Sequence, residues 1–107
     1  MQELDRAGLE EIEAFVAVAE LGGFAAAAKK IQRDASVVSR RVSQLEARLG
    51  VRLLVRTTRR VAVTEAGEGY LKRVQVILEE LSAANSEVTE SAAAPQGLLR
   101  VSAPVTF

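Results

Sequence analysis

The stretch DASVVSRRVSQLEARLG, residues 34–50, predicts a helix with two unlike faces. One face is apolar, with residues recurring every three or four positions: Val38, Val42, Leu45 and Leu49. The other face carries hydroxyl groups and a cation: Ser36, Ser39, Arg40 and Ser43. Asp34 stands where its carboxylate can cap the helix, and Gly50 stands where the helix is expected to end. The apolar face predicts burial in a core, whereas the polar face requires another partner.

Two shorter helices are predicted ahead of this one, over residues 10–21 and 24–30. Gly22 and Gly23 separate them, and residues 32–33 make a tight connection to the helix after Asp34. Alanines in the second helix allow a close approach to its neighbour. The second and third helices therefore form a predicted helix-turn-helix unit. The last helix of such a unit presents its N-terminal half to the major groove of DNA.

The polar face of the third predicted helix is suited to contact with DNA. Short hydroxyl groups allow a close approach and donate to phosphates or base edges, and Arg40 can reach a guanine edge or a phosphate. Arg41 lies about 100° further round the helix and is expected to meet the DNA backbone. Cations near a helix start oppose its dipole, which DNA phosphates would offset. The alternative is a solvated polar face with no target.

Residues 51–56 and 61–64 are short, β-branched runs on either side of a basic segment, and they predict a hairpin. Directly after a helix-turn-helix, such a hairpin is a wing. Arg59 and Arg60 at its tip are predicted to enter a minor groove or to bind phosphates.

Thr64 can cap a fourth helix that is predicted to span residues 65–92. It carries a seam at alternating intervals of three and four: Leu71, Val74, Leu78, Leu81, Asn85 and Val88. Heptad spacing requires a partner helix, and a second copy of the chain is the simplest one. Asn85 lies at a position where a buried amide can set the register. The alternatives are packing on the chain's own domain and docking on a different protein.

The chain has 107 residues and zero formal net charge, yet its charges are segregated. Residues 29–60 carry ten basic and two acidic side chains, net +8, between flanks of net −5 and −3. A basic segment of this kind favours a polyanion as partner.

The composition excludes several classes of function. There is no Cys and no His, which excludes thiolate or imidazole zinc sites and Ser–His or Cys–His catalysis. No glycine-rich phosphate loop is present, and the chain is predicted not to be an enzyme. No apolar run approaches the roughly 20 residues that span a bilayer, and the acidic N-terminus is unlike a signal peptide. These features predict a cytoplasmic protein without a membrane partner.

The predicted organisation is a DNA-binding domain at 1–64, a linker helix at 65–92, and a hinge with the first strand of a further domain at 93–107. A strand with nothing after it predicts that the sequence is a fragment.

Several motifs in order carry a family resemblance: FVAVAELGGFAAAA at 15–28, VSRRVSQLEARLGVRLL at 38–54, RTTR at 56–59 and VTEAG at 63–67. Together they resemble the N-terminal part of LysR-type bacterial transcriptional regulators, above all the CrgA-like subgroup. The resemblance covers residue 9 to about residue 107.

The resemblance implies a mainly α fold: a winged helix-turn-helix of three helices and a two-stranded β wing, followed by a long dimerisation helix. It implies double-stranded DNA with an interrupted inverted repeat near a promoter as partner, a homodimer that becomes a tetramer at full length, and RNA polymerase as a further partner in the nucleoid. No cofactor is expected in this fragment, and a small-molecule effector is expected in a further C-terminal domain.

By position, the DNA-contacting residues of the family fall on Ala35, Ser36, Ser39, Arg40, Arg56 and Arg59. With Arg41, Ser43 and Arg60 they complete the predicted DNA-binding set. The family often has Gln where this chain has Ala35, which can touch only a thymine methyl group. It often has Ser where this chain has Asp34.

Overall fold

Four helices and one hairpin follow one another in the computed structural model, which describes residues 6–57 and 60–93. They are α1 Arg6–Leu21, α2 Phe24–Ile31, α3 Ala35–Leu49, β1 Leu54–Arg56, β2 Val61–Val63 and α4 Glu65–Ala93. The predicted order of a mainly α, winged helix-turn-helix is confirmed. The first helix begins four residues earlier than the apolar pattern predicted. The predicted strand at 98–107 lies outside the described residues.

The core lies where α1 crosses α3. Phe15 and Val18 of α1 and Val38, Val42 and Leu45 of α3 are at most 2% exposed. α2 contributes small side chains, as its predicted role requires: Ala27 and Ala28 are buried. One predicted core position is wrong, because Leu49 is 41% exposed.

The ends of α3 differ in how they are stabilised. At its start Asp34 is the N-cap residue, but its carboxylate makes no capping bond, so the predicted side-chain cap is wrong. The backbone carbonyl of Asp34 instead accepts from the N–H groups of Val37 and Val38 at 3.0 and 3.1 Å. At its end Gly50 takes the left-handed conformation with φ +71°, as predicted.

A buried carboxylate of α3 holds the start of the wing. Glu46, 9% exposed, accepts from the N–H groups of Leu53 and Leu54 with one oxygen, at 2.8 and 3.0 Å. The N–H of Val51 donates to the backbone carbonyl of Glu46 at 3.2 Å. The strands are shorter than predicted, and three antiparallel pairs form: Leu54 with Val63, Val55 with Ala62, and Arg56 with Val61.

The junction between the wing and α4 is closed by Thr64. Its hydroxyl donates to the Arg52 carbonyl at 2.7 Å and accepts from the Gly67 N–H at 2.9 Å, which confirms the predicted cap. Its own N–H donates to the Leu53 carbonyl at 3.0 Å. α4 thus approaches so closely that a Cβ on Gly67 would overlap the Leu53 carbonyl oxygen and lie 2.7 Å from Val63 Cγ1.

The chain divides into one compact unit that ends at Gln75 and another that begins at Val76. The first turns of α4 belong to the first unit, beyond the boundary predicted at residue 64. Tyr70 lies 5.9 Å from Phe15, ring to ring, and its burial together with the Glu11 carboxylate raises the pKa of the phenol. Val74 is 6% exposed, and the Gln75 amide donates to the Glu20 carboxylate at 2.8 Å.

The second unit is helical from Val76 to Ala93. It exposes large apolar side chains: Val76 53%, Ile77 56%, Leu81 45% and Val88 69%. Across the ranges 6–57 and 60–93, no helix is long and apolar enough to cross a membrane.

The two glycines near the start of α4 allow a matched test of the close approach. Gly67→Ala is expected to lower the free energy of unfolding by about 1–3 kcal/mol, because the added methyl group overlaps backbone. Gly69→Ala, with nothing within 4 Å of its Cβ, is expected to raise it by about 0.5–1 kcal/mol. Urea denaturation measures both. Equal effects would contradict the close approach.

Glu46→Ala is expected to lower the free energy of unfolding by about 2–4 kcal/mol, because two buried N–H groups lose their acceptor. Glu13→Ala, at an exposed position of α1, is the control and should change it by less than about 0.5 kcal/mol. The measurement is urea denaturation followed by circular dichroism. Similar losses for both variants would remove Glu46 from its role in holding the wing.

Candidate nucleic-acid interface

The N-terminal half of α3 exposes a face rich in hydrogen-bond donors. Ala35, Ser36 and Arg40 are exposed, and the side chains of Ser36 and Arg40 have no hydrogen bond or ion pair with any described residue. These side chains follow one another along the first turns of the helix. The Arg40 guanidinium is therefore available for a ligand without first breaking a contact within the chain.

Arg41 differs from Arg40 although the two are adjacent. Its side chain is 19% exposed and lies 3.6 Å from the Glu10 carboxylate. Further along α3, Arg48 donates to the Glu11 carboxylate at 3.0 Å. Two carboxylates of α1 thus neutralise the arginines on the flank of α3 that faces α1. The predicted DNA contact of Arg41 would compete with this ion pair.

In the ion pair of Arg48 the carboxylate is withdrawn from water, whereas the guanidinium is partly exposed. The Glu11 side chain is 4% exposed, and its second oxygen is buried without a hydrogen-bond partner among the described residues. A buried carboxylate of this kind is costly unless a cation is close, and removal of Arg48 would leave it uncompensated. The pair therefore holds α1 against α3 and leaves the opposite face of α3 for a ligand.

Arg56 joins the wing to α3. One of its terminal nitrogens donates to Ser39 Oγ at 3.2 Å and the other to Ser43 Oγ at 3.4 Å. Its guanidinium carbon lies 4.6 Å from the centre of the Phe24 ring, within the range of a cation–π contact. Three predicted site residues, two on α3 and one on the wing, are thus brought together, with Phe24 beneath them.

The wing tip presents a further arginine. The N–H of Thr57 donates to the Arg60 carbonyl at 2.9 Å, and the Arg60 N–H donates to Thr57 Oγ1 at 3.0 Å. These bonds close the turn while the Arg60 side chain stays exposed. Arg59, the other predicted tip residue, lies outside the described residues.

Two residues of the site escaped the sequence analysis. Glu46 lies on the apolar face of α3 between Leu45 and Leu49, and a carboxylate at such a position is a signal for a buried acceptor role. Phe24, the first residue of α2, is half-buried and lies under Arg56. No sequence signal connects Phe24 with Arg56, because 32 positions separate them.

The chemistry of this surface is that of an anion-binding face. It offers hydroxyl groups and guanidinium groups from α3 and the wing, with one exposed carboxylate, Asp34, at the start of α3. No group of His, Cys, Asp or Glu side chains in the described part of the chain could hold a metal ion. The arrangement can donate many hydrogen bonds to phosphates and base edges.

Residues 9–68 match the family model of the bacterial regulatory helix-turn-helix proteins of the lysR family. The chain is 48% identical over 92 residues to the HTH-type transcriptional regulator CrgA of Neisseria meningitidis serogroup C, an alignment that covers 86% of this chain and 31% of the relative. The chain therefore spans about a third of the length of this curated relative. The relatives are named as transcriptional regulators, in agreement with the prediction that the chain is not an enzyme.

Solved structures agree with this result. The BenM DNA-binding domain in complex with catB site 1 DNA has a TM-score of 0.75 and 30% identity, with 82% of this chain and 98% of that chain covered. The CbnR DNA-binding domain in its DNA complex has a TM-score of 0.68 and 38% identity, covering 79% and 97%. The chain belongs to the lysR family of bacterial regulatory helix-turn-helix proteins, and it carries the family's DNA-binding domain.

Proposed function

We propose that the chain is the DNA-binding and dimerising part of a transcriptional regulator that recognises an interrupted inverted repeat near a promoter. The observation that carries the proposal is the exposed Arg40 in the N-terminal half of α3, one turn from Ser36 and without a partner among the described residues. A guanidinium of this kind, on the helix that enters the major groove in this class of motif, is suited to base readout.

α3 supplies the base-reading side chains in this proposal. Arg40 donates two parallel hydrogen bonds to a guanine edge, and Ser36 donates to a phosphate or a base. Ala35 offers a methyl group that can touch only the methyl group of thymine. The short side chains at the start of α3 allow its backbone to lie deep in the groove.

The wing supplies backbone contacts. The backbone N–H of Arg60 donates to Thr57, which fixes the point from which the exposed Arg60 side chain extends. Arg59 is assigned the same role on the resemblance alone. Arg41 contributes mainly through the field of its charge, because its guanidinium lies beside Glu10.

A second copy of the chain is the proposed partner of α4. On the heptad seam, Leu81, Asn85 and Val88 are exposed, Leu71 and Leu78 are half-buried, and Val74 is buried within the chain. Ile77 is exposed beside the seam, whereas Val76 is exposed on the opposite side of α4. An exposed stripe of this kind at heptad spacing is stabilised by a partner helix.

The complete regulator is proposed to act as a tetramer in the bacterial cytoplasm, at the nucleoid, with RNA polymerase as a further partner. Its C-terminal part would bind a small-molecule effector. The share of the relatives' length that the chain spans supports the proposed C-terminal part, since about two thirds of each relative has no counterpart in the chain. The tetramer and RNA polymerase rest on the family resemblance alone.

The experiment that tests the proposed function is selection of bound duplexes from a randomised DNA pool by the purified chain at near-physiological salt. An interrupted inverted repeat is the expected product, since each of two α3 helices would read one half-site. Enrichment of unrelated sequences would mean that the basic face binds DNA without reading it.

Arg40→Ala is expected to weaken binding to the selected site by about 1–3 kcal/mol and to relax the preference at one base pair per half-site. Arg73→Ala, on α4, removes the same charge from a position outside α3 and the wing and is the control. Fluorescence anisotropy at several salt concentrations measures both variants. Unchanged affinity and preference for Arg40→Ala would contradict the placement of α3 in the groove.

Leu81→Glu is expected to raise the dissociation constant of the dimer by at least about tenfold, because a charge would be buried in the seam. Ala83→Glu adds the same charge on the side of α4 away from Leu81 and should leave the dimer intact. Sedimentation equilibrium measures both. A wild-type chain that is monomeric and does not bind DNA would instead favour docking of α4 on a different protein.

A further inference from the structure

Arg56 is held on three sides by its own chain. Its two terminal nitrogens donate to Ser39 and Ser43, and its planar face lies over the Phe24 ring. These partners belong to α3 and to the first residue of α2, while Arg56 itself is the last residue of β1. One side chain therefore connects the wing to both helices of the helix-turn-helix unit.

The geometry depends on the shape of the guanidinium group. Ser39 and Ser43 are one helical turn apart on α3, and the two terminal nitrogens of an arginine can reach both hydroxyl groups while the flat face stays against a ring. A lysine at this position would carry the same charge but would have one nitrogen and no planar face. The contacts therefore select arginine by its shape rather than by its charge.

The same contacts orient the two serine hydroxyl groups. An oxygen that accepts a hydrogen bond from a cation directs its own proton elsewhere, and Ser43 is exposed while Ser39 is half-buried. Each hydroxyl group thus keeps its proton and one lone pair free of Arg56. The protons match phosphate oxygens, purine N7, guanine O6 or thymine O4, and the remaining lone pairs can accept from an amino group.

We propose that Arg56 is a positioning residue for DNA recognition, acting through Ser39 and Ser43, rather than a phosphate ligand. It sets the wing against α3 and directs the hydroxyl protons of both serines toward DNA. The proposal rests on the proposed function, since it assigns how the same face of α3 is prepared for the groove.

The experiment compares Arg56→Lys with the wild-type chain on the selected DNA site. A phosphate ligand would be replaced well by lysine, which binds phosphate as a point charge. A positioning residue would not, and the affinity is expected to fall on the order of tenfold with a relaxed base preference, while the slope of log affinity against log salt stays unchanged. Arg52→Lys is the control, because Arg52 is exposed and its guanidinium has no partner among the described residues.

A double-mutant cycle with Ser39→Ala separates the two roles further. If Arg56 acts through Ser39, Arg56→Lys has a smaller effect in the Ser39→Ala chain than in the wild type. Independent phosphate contact predicts that the two losses multiply. Phe24→Leu, which keeps an apolar side chain but removes the ring face, is a second variant and is expected to weaken binding about two- to fivefold.

The outcomes are distinguishable once thermal melting shows that each variant is folded. Unchanged affinity for Arg56→Lys, or losses that multiply in the cycle, overturn the positioning role while Arg40→Ala still weakens binding. If Arg40→Ala has no effect, the placement of α3 in the groove fails and the positioning role fails with it. Loss of affinity at an unchanged salt slope, together with coupling to Ser39, supports the role.

Discussion

The other parts of the DNA-binding domain depend on the hydrogen bonds that the Glu46 carboxylate accepts. It lies in the core face of α3 and accepts from two consecutive N–H groups, those of Leu53 and Leu54. Leu53 in turn accepts from Thr64, which caps α4, and its carbonyl leaves room only for a glycine at position 67. One carboxyl side chain thus sets the wing and the entry of α4 relative to α3. The cost of burying a carboxylate is offset because two donors that would otherwise be buried without partners are satisfied.

The distribution of charge explains how a chain of zero net charge can bind a polyanion. The carboxylates of Glu10 and Glu11 pair with Arg41 and Arg48 on one flank of α3, while Arg40, beside Arg41 in sequence, has no such partner. The acidic residues of α1 are therefore complementary to the inner flank of α3 and do not weaken its outer face. Surface pairs contribute little to stability by themselves, but their arrangement decides which cations remain available.

α4 contributes residues to both units of the chain. Its first turns are part of the first unit, where Tyr70 contacts Phe15 and Val74 is buried. Further along, the seam residues Leu81 and Val88 are exposed, and their heptad spacing favours a partner helix. In the sequence the seam is one uniform pattern. In the fold its residues differ, because Val74 is already buried within the chain.

The element order, the wing and the cap at Thr64 can be predicted from the sequence, because periodicity, glycine stops and capping residues are local signals. The spacing also predicts that Ser36, Ser39, Arg40 and Ser43 share one polar face of α3. The family and the place of Ala35 in the site follow from the motif resemblance instead. That Arg41 rather than the adjacent Arg40 is paired follows from the tertiary structure. Glu10 of α1 and Arg41 of α3 are about 30 positions apart in the sequence, and only the fold brings them together. The tertiary structure likewise decided that Glu46 rather than Leu49 is buried and that Arg56 lies over Phe24 between α3 and the wing. Such contacts depend on three-dimensional proximity, and no spacing along the chain encodes them.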